Sequence, residues 1–255
     1  MKISILTLFP EMFVGPFDHS IIKRAKEKGL VEIELINIRD FATDKHQMVD
    51  DSPYGGGVGM VMKVDVVHRA ILHAKSSVIL ERSDNAAIES HKEDPISRSR
   101  SFQDDNKKTK VVLMTASGKP FKQAVAKEFA ALDHLILICG HYEGIDDRIK
   151  HFIDEEVSIG DFVLTGGELA TMVITDAVTR LLPGAITDGA TEDESFSLGD
   201  DHPLLEYPHY TKPQVYEGFA VPEILLSGNH PKVAMWRHEQ ALEKTKRVRP
   251  DLTKK

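Results

Sequence analysis

Cysteine occurs once in the 255 residues, as does tryptophan. A lone Cys139 cannot close an intrachain disulfide, which suits a reducing cytoplasm, and it excludes any cysteine-rich metal site. No apolar run approaches the roughly 20 residues that a membrane-spanning helix needs. The apolar start, Met1 to Phe9, lacks the basic and small-residue flanks of a signal peptide and is cut at once by Pro10-Glu11, so it reads as a first strand. There is no dinucleotide fingerprint in strand-to-helix context and no P-loop lysine motif. The twelve histidines show no close metal-ligand spacing. His68 and His73 read as surface or part-buried helix residues, because a zinc site needs neighbours one turn apart on one face. Positive charge is also scarce: Lys and Arg number 32 against 40 Asp and Glu, a net of -8. Any nucleic-acid partner must therefore meet a local basic patch.

What remains is a globular chain with 41% hydrophobic and 28% charged residues, long enough for one large domain or a medium one with a small companion. Lys2 to Phe9 is an apolar run. Val31, Ile33 and Leu35 alternate with Glu32 and Glu34 in the period of a half-buried strand. Between them, Ser20 to Lys28 reads as a helix closed by Gly29. Asp65 is placed to cap a helix whose apolar residues Val66, Val67, Ala70, Ile71 and Ala74 share a stripe. The grammar resumes with a strand at Val111 to Met114, a helix from Phe121 to Leu132 and a strand at Leu135 to Ile138. Short continuous apolar runs suit strands buried on both faces of a parallel sheet, so the fold class is α/β.

Residues 82–109 are crowded with Ser, Asp, Lys and Arg and read as a flexible surface insertion. Glu168 to Leu182 reads as a helix stopped by Pro183-Gly184, and the polar stretch Asp188 to Asp201 marks a boundary. The organisation expected is a first domain at 1–186, a linker at 187–202 and a small helical domain at 203–255, its helices split near Gly228-Asn229-His230-Pro231. From Lys232 onward the basic residues Lys232, Arg237, Lys244, Lys246, Arg247, Arg249, Lys254 and Lys255 outnumber Glu239, Glu243 and Asp251. That excess fits an RNA-facing tail or a solvated helix face.

Three glycine-bearing turns follow strand-like runs: Thr115 to Gly118, Gly140 to Gly144, and Ile159 to Gly167. In an open parallel sheet, ligands bind beyond the carboxyl ends of the strands, where such turns expose backbone donors and acceptors. Either the three wall one cleft, or each glycine serves a tight turn. The run Gly55-Gly56-Gly57-Val58-Gly59 follows Asp50 to Tyr54 rather than a strand, and reads as a pliable substrate-facing loop or a structural turn. Cys139, ending an apolar strand, reads as a packing residue.

Several blocks carry a family resemblance: Leu8-Phe9-Pro10-Glu11-Met12-Phe13; Val49 to Gly57 with Gly59-Met60; Cys139-Gly140-His141-Tyr142-Glu143-Gly144-Ile145-Asp146; Ser158 to Leu169; and Tyr207-Pro208-His209-Tyr210-Thr211-Lys212-Pro213. Together they resemble the bacterial tRNA (guanine-N1)-methyltransferases, in family order and across nearly the whole chain. The insertion around Asp84 to Lys107 departs from the family pattern, as does the stop soon after Leu252, and both lie outside the motif blocks.

The resemblance implies a SPOUT-class α/β domain whose three turns form a deep trefoil knot, a feature that periodicity does not encode. It implies S-adenosyl-L-methionine held by Leu113, Met114, Thr115, Ala116, Ser117, Gly118, Gly140, Tyr142, Glu143, Gly144, Ile159, Gly160, Asp161, Phe162, Val163, Leu164, Gly166 and Gly167. Tyr54, Gly55, Gly56, Gly57, Gly59 and Ser195 would meet a guanosine at tRNA position 37, immediately 3′ of the anticodon. Methylation there supports reading-frame maintenance. A cytoplasmic homodimer with a composite active site and a magnesium requirement also follow from the family. Arg180 would stabilise the guanine O6, and a linker carboxylate would act as base. Counting forward from Ala190-Thr191-Glu192 selects Asp193, counting back from Ser195-Phe196 selects Glu194, and Asp193 is favoured because the family uses aspartate. Tyr142 and Tyr54 are either stacking platforms for the guanine or structural residues. A related knotted RNA methyltransferase, a non-catalytic RNA-binding protein and a small-molecule methyltransferase are the competing readings.

Overall fold

The computed structural model describes residues 1–83, 108–198 and 203–253. It divides into two compact units, Met1–Ile186 and Thr187–Lys255.

The first unit is built on five parallel strands. In chain order these are β1 (Lys2–Thr7), β2 (Glu32–Asn37), β5 (Thr109–Pro120), β6 (His134–Cys139) and β7 (Glu155–Ser158), arranged β2-β1-β6-β5-β7. A short antiparallel pair, β3 (Asp50–Asp51) and β4 (Val61–Met62), stands apart from them. The central strands β1 and β6 are buried along their whole length, as strands covered on both faces must be. Side-chain alternation sends Leu135, Leu137 and Cys139 of β6 to one core and Ile136 and Ile138 to the other, as the period-2 pleat dictates. Helices α1 (Ser20–Glu27), α3 (Gln123–Ala130) and α4 (Glu168–Thr179) supply Ile22, Ala25, Phe129, Ile174 and Val178 to the first core. Helix α2 (Val64–Ser83) covers the second with Val66, Val67, Ala70, Ile71 and Ala74.

Several expectations need adjustment. Asp65 does not cap α2, which begins one residue earlier; it lies in the first turn and pairs with Arg69 at 2.9 Å. In β2 the simple alternation fails: Leu35 is 37% exposed whereas Ile36 is 6% exposed. With helices on both faces of the sheet either parity finds a core, and Ile36 packs with the α2 side. Strand β5 runs well beyond Met114. Its register against β7 breaks after Met114↔Val157 and resumes at Lys119↔Val157, so Thr115–Gly118 leaves the ladder and returns to it. The strand expected before Ile159 is β7, whose bounds the sequence does not mark because, apart from Val157, its residues are Glu155, Glu156 and Ser158. The expected insertion at 82–109 lies, apart from its ends, outside the described residues.

The second unit contains the hairpin β8 (Val215–Tyr216) and β9 (Phe219–Ala220), then α5 (Glu223–Leu226) and α6 (His230–Val248). Glu217 and Gly218 both have positive φ, at 49° and 84°, the combination that a tight two-residue hairpin turn requires. Gly228 at φ 68° separates the two helices, and the Asn229 side chain caps α6 by accepting from the Lys232 N–H at 3.2 Å. Leu204, Ala241 and Thr245 form its buried centre. Among the described residues no helix is long and apolar enough to cross a membrane.

Candidate functional site

The carboxyl ends of β5, β6 and β7 open on a cleft of about 190 Å³. Met114, Thr115 and Ala116 line it from the first turn, Gly140 to Gly144 from the second, and Ile159, Gly160 and Phe162 to Gly167 from the third. The three glycine-bearing turns therefore share one cavity. Their convergence depends on close backbone approach: a Cβ on Gly167 would lie 2.8 Å from Cys139 Cα and 2.9 Å from Gly140 N. The Gly167 N–H donates to the Gly140 carbonyl at 2.8 Å, and His141 bridges Gly166 in antiparallel fashion. Tyr142 holds a left-handed φ of 59°, which turns the chain sharply between the buried strand and the cleft rim.

Behind the cleft lies a buried polar cluster. Glu168, 2% exposed, opens α4 and accepts from the Thr7 hydroxyl at 2.9 Å. A Cβ on Gly166 would collide with the Glu168 carboxylate on one side and approach His141 Nδ1 to 2.8 Å on the other. His141 Nδ1 is buried with no hydrogen-bond partner among the described residues, an orphaned polar atom in the lining of a ligand-sized cleft. Cys139 is fully buried beside Thr171, and burial pushes its thiol far above the ordinary range. That is a packing role.

The glycine-rich loop is fastened to the second turn. Met62 N–H donates to the Gly144 carbonyl at 2.9 Å, Glu143 N–H to Met60 at 3.1 Å and Asp146 N–H to Met62 at 3.0 Å. Gly59, at φ +91°, lies under the Glu143 side chain, where a Cβ would stand 2.5 Å from Glu143 Cγ. Tyr54 and Val58 project fully into solvent, at 100% and 94% exposure. At the end of the same turn, the Arg148 guanidinium donates through Nε to Asp146 at 2.9 Å and holds that carboxyl below its ordinary value of 3.8. A depressed carboxyl favours the fold above its unfolded pKa, and that contribution is lost as pH falls through the lower folded value. Arg148→Ala is expected to return Asp146 towards 3.8, read by carbon NMR titration of the carboxyl, and to remove this contribution to acid sensitivity below about pH 4. An unchanged titration would show that the pair does not govern Asp146.

The family model described as tRNA (Guanine-1)-methyltransferase TrmD matches residues 1–255. The chain belongs to this family. Curated relatives carry the name tRNA (guanine-N(1)-)-methyltransferase. The protein of Dictyoglomus turgidum is 48% identical over 256 residues, covering 100% of this chain and 91% of the relative. That of Carboxydothermus hydrogenoformans is 49% identical, covering 100% and 88%, and that of Pelotomaculum thermopropionicum is 48% identical, covering 100% and 90%.

Of the cofactor residues implied by this family, Leu113, Ser117, Gly118 and Asp161 do not line the cleft; the other fourteen do. Leu113 is buried in the α2-side core, and Gly118 sits against the β7 backbone. The lining also includes His141, Val157, Ser158, Thr165 and Ala170. His141 stood inside a quoted motif block, so its position was legible although its inward-facing ring nitrogen was not. Arg180 caps the carboxyl end of α4 in the first unit, with its N–H donating to Asp176 at 3.1 Å. Asp193, Glu194 and Ser195 belong to the second unit. There Asp193 is exposed and Glu194 half-buried, and Ser195 Oγ accepts from the Glu206 N–H at 3.1 Å. Among the described residues no three His, Cys, Asp or Glu side chains gather to hold a metal ion, so no residue is assigned to magnesium.

Proposed function

We propose that this chain transfers a methyl group from S-adenosyl-L-methionine to N1 of the guanosine at tRNA position 37, immediately 3′ of the anticodon. The observation that carries the reading is the single cleft walled by three glycine-bearing turns, in a chain aligned end to end with relatives named tRNA (guanine-N(1)-)-methyltransferase. The cleft suits the cofactor: its glycines admit close backbone approach, its turns present main-chain donors and acceptors, and His141 Nδ1 awaits a partner. Met114, Gly140, Tyr142, Ile159, Leu164 and Gly166 would be among the residues that hold it. When bound it supplies a methyl carbon on a positively charged sulfur.

The chain's own residues must then prepare guanine N1, which carries a proton and is a poor nucleophile. A linker carboxylate, Asp193 in preference to Glu194, takes that proton as the N1–C bond forms and the S–C bond breaks. General base action of this kind is worth on the order of 10²–10⁴-fold. Arg180 stabilises negative charge developing on O6. The base has to leave its stack to enter a cleft, and the loop from Tyr54 to Gly59 together with Ser195 receives it. Residues 1–186 serve as the knotted cofactor domain, 187–202 as the linker and 203–255 as the tRNA-binding domain. The active site is composite, joining the cleft of one protomer to the linker and second unit of its partner. Exposed Lys232, Arg237, Lys246 and Arg247 on α6 offer phosphate contacts in an otherwise acidic chain. Modification beside the anticodon would support reading-frame maintenance.

Labelled methyl transfer to an unmodified tRNA transcript tests the reading. Incorporation is expected with guanosine at position 37 and is expected to vanish when adenosine replaces it. Incorporation independent of that guanosine would indicate another RNA methyltransferase of the same class, and tRNA binding without transfer would indicate a non-catalytic RNA-binding protein.

A further inference from the structure

We infer that Glu168 acts as a charge sensor behind the cofactor cleft, favouring the cationic sulfonium donor over its neutral thioether product. The inference rests on the cofactor reading above. Glu168 does not line the cleft, but Gly166, Gly167 and Ala170 on either side of it do. Its carboxylate lies directly behind Gly166, so close that a Cβ there would strike it. One glycine, without a side chain, thus separates a buried carboxylate from the ligand space.

The charge at this position is held and is not cancelled. Thr7 on the central strand donates its hydroxyl to Oε1 at 2.9 Å. The first turn of α4 contributes the positive end of its dipole, which favours an anion there. No Lys, Arg or His forms an ion pair with Glu168 among the described residues. At 2% exposure its field is screened by protein more than by water, so a full positive charge in the cleft feels it strongly. At the effective dielectric that reproduces protein electrostatics, opposite charges several ångströms apart differ in affinity from a charged–neutral pair by about tenfold to a hundredfold. Methyl transfer removes the positive charge from sulfur and with it this attraction. The same carboxylate therefore holds the donor and loosens the spent product.

A purely structural Glu168 would anchor the Gly166–Gly167 turn to β1 and affect both ligands alike. Calorimetric titration separates the two roles. The wild-type protein is expected to bind S-adenosylmethionine about tenfold or more tighter than S-adenosylhomocysteine. Glu168→Gln keeps an oxygen for Thr7 and removes the charge; it is expected to weaken donor binding about tenfold, leave product binding within about twofold and so erase the preference. Thr7→Val loses the anchor and retains the charge, and should weaken both ligands in equal proportion.

An equal loss for both ligands in Glu168→Gln overturns the inference and leaves the cofactor reading intact. Failure of the wild-type protein to bind either ligand overturns the cofactor reading itself. If Glu168→Gln does not fold, the wild-type protein still decides the matter. A donor analogue carrying an ammonium in place of the sulfonium should bind like the donor, and affinity equal to that of the thioether would remove the charge-sensing role.

Discussion

Gly118→Ala is expected to destabilise the first unit by about 3 kcal/mol and to destroy the cleft walled by the three glycine-bearing turns. A Cβ at this position would lie 2.5 Å from Val157 N, 2.6 Å from Glu156 C and 2.6 Å from Val157 C. All three are backbone atoms, so no side-chain rotation relieves the clash. Relief requires Lys119–Pro120 of β5 to part from Val157–Ser158 of β7, the very pairing that brings the chain back after the Thr115–Gly118 excursion. The first and third walls of the cleft are then no longer in register. Gly140→Ala is a matched control: its added Cβ would meet only the Met114 carbonyl, at 3.4 Å, an ordinary contact. For a unit of this size a loss of about 3 kcal/mol lowers the thermal midpoint by roughly 6–12 °C, whereas Gly140→Ala should remain within about 0.5 kcal/mol of the parent. Equal midpoints for the two variants would mean that the β5–β7 return is loosely held and that the cleft tolerates strand separation.

The α/β class was legible because β1, β6 and the first half of β5 are nearly continuous apolar runs, and buried parallel strands require such runs. The stripe on α2 was legible for the corresponding reason at helical period. The extent of β7 was hidden because its pairing with β5, rather than its own composition, makes Glu155–Ser158 a strand. The extension of β5 to Pro120 was hidden for the same reason: Ser117, Gly118 and Lys119 have the composition of a turn, and the strand resumes only where Lys119 and Pro120 pair with Val157 and Ser158. In β2 a period-2 reading chose Leu35 over Ile36, since local pattern carries no knowledge of a second covered face. Site legibility divides along similar lines. The glycines that wall the cleft stood in recognisable turns. Glu168 and Thr7 were less visible, being 161 residues apart in sequence and joined only by the packing of α4 on β1.

The glycine-rich loop is fastened to the second turn of the cleft. Met60 and Met62 share backbone hydrogen bonds with Glu143, Gly144 and Asp146, so displacement of the turn by a ligand must also displace the loop that presents Tyr54 to Gly59. Such short ladders transmit position well because each bond fixes two backbone groups that are costly to leave unpaired. In the proposed reaction this links occupancy of the cleft to the shape of the surface that receives guanine.

Asp193→Ala is expected to lower single-turnover methyl transfer by about 10²–10⁴-fold while leaving cofactor and tRNA affinities within roughly threefold. The two candidate bases differ in what the fold already asks of them. The Glu194 backbone carbonyl accepts from Ser197 at 3.0 Å and from Leu198 at 3.3 Å, closing a turn that Phe196 and Leu204 secure further. Asp193 stands just outside that turn, is exposed and makes no side-chain hydrogen bond or ion pair among the described residues. A base must be free to reach N1 and to exchange its proton with water after each turnover, conditions that Asp193 meets without disturbing the turn. Glu194→Ala should accordingly cost less than about tenfold. A near-normal rate in Asp193→Ala together with a loss of about 10²-fold or more in Glu194→Ala would transfer the role to Glu194. Near-normal rates in both variants would remove the linker carboxylates from the chemistry, leaving proton removal to solvent and the electrostatic work to Arg180.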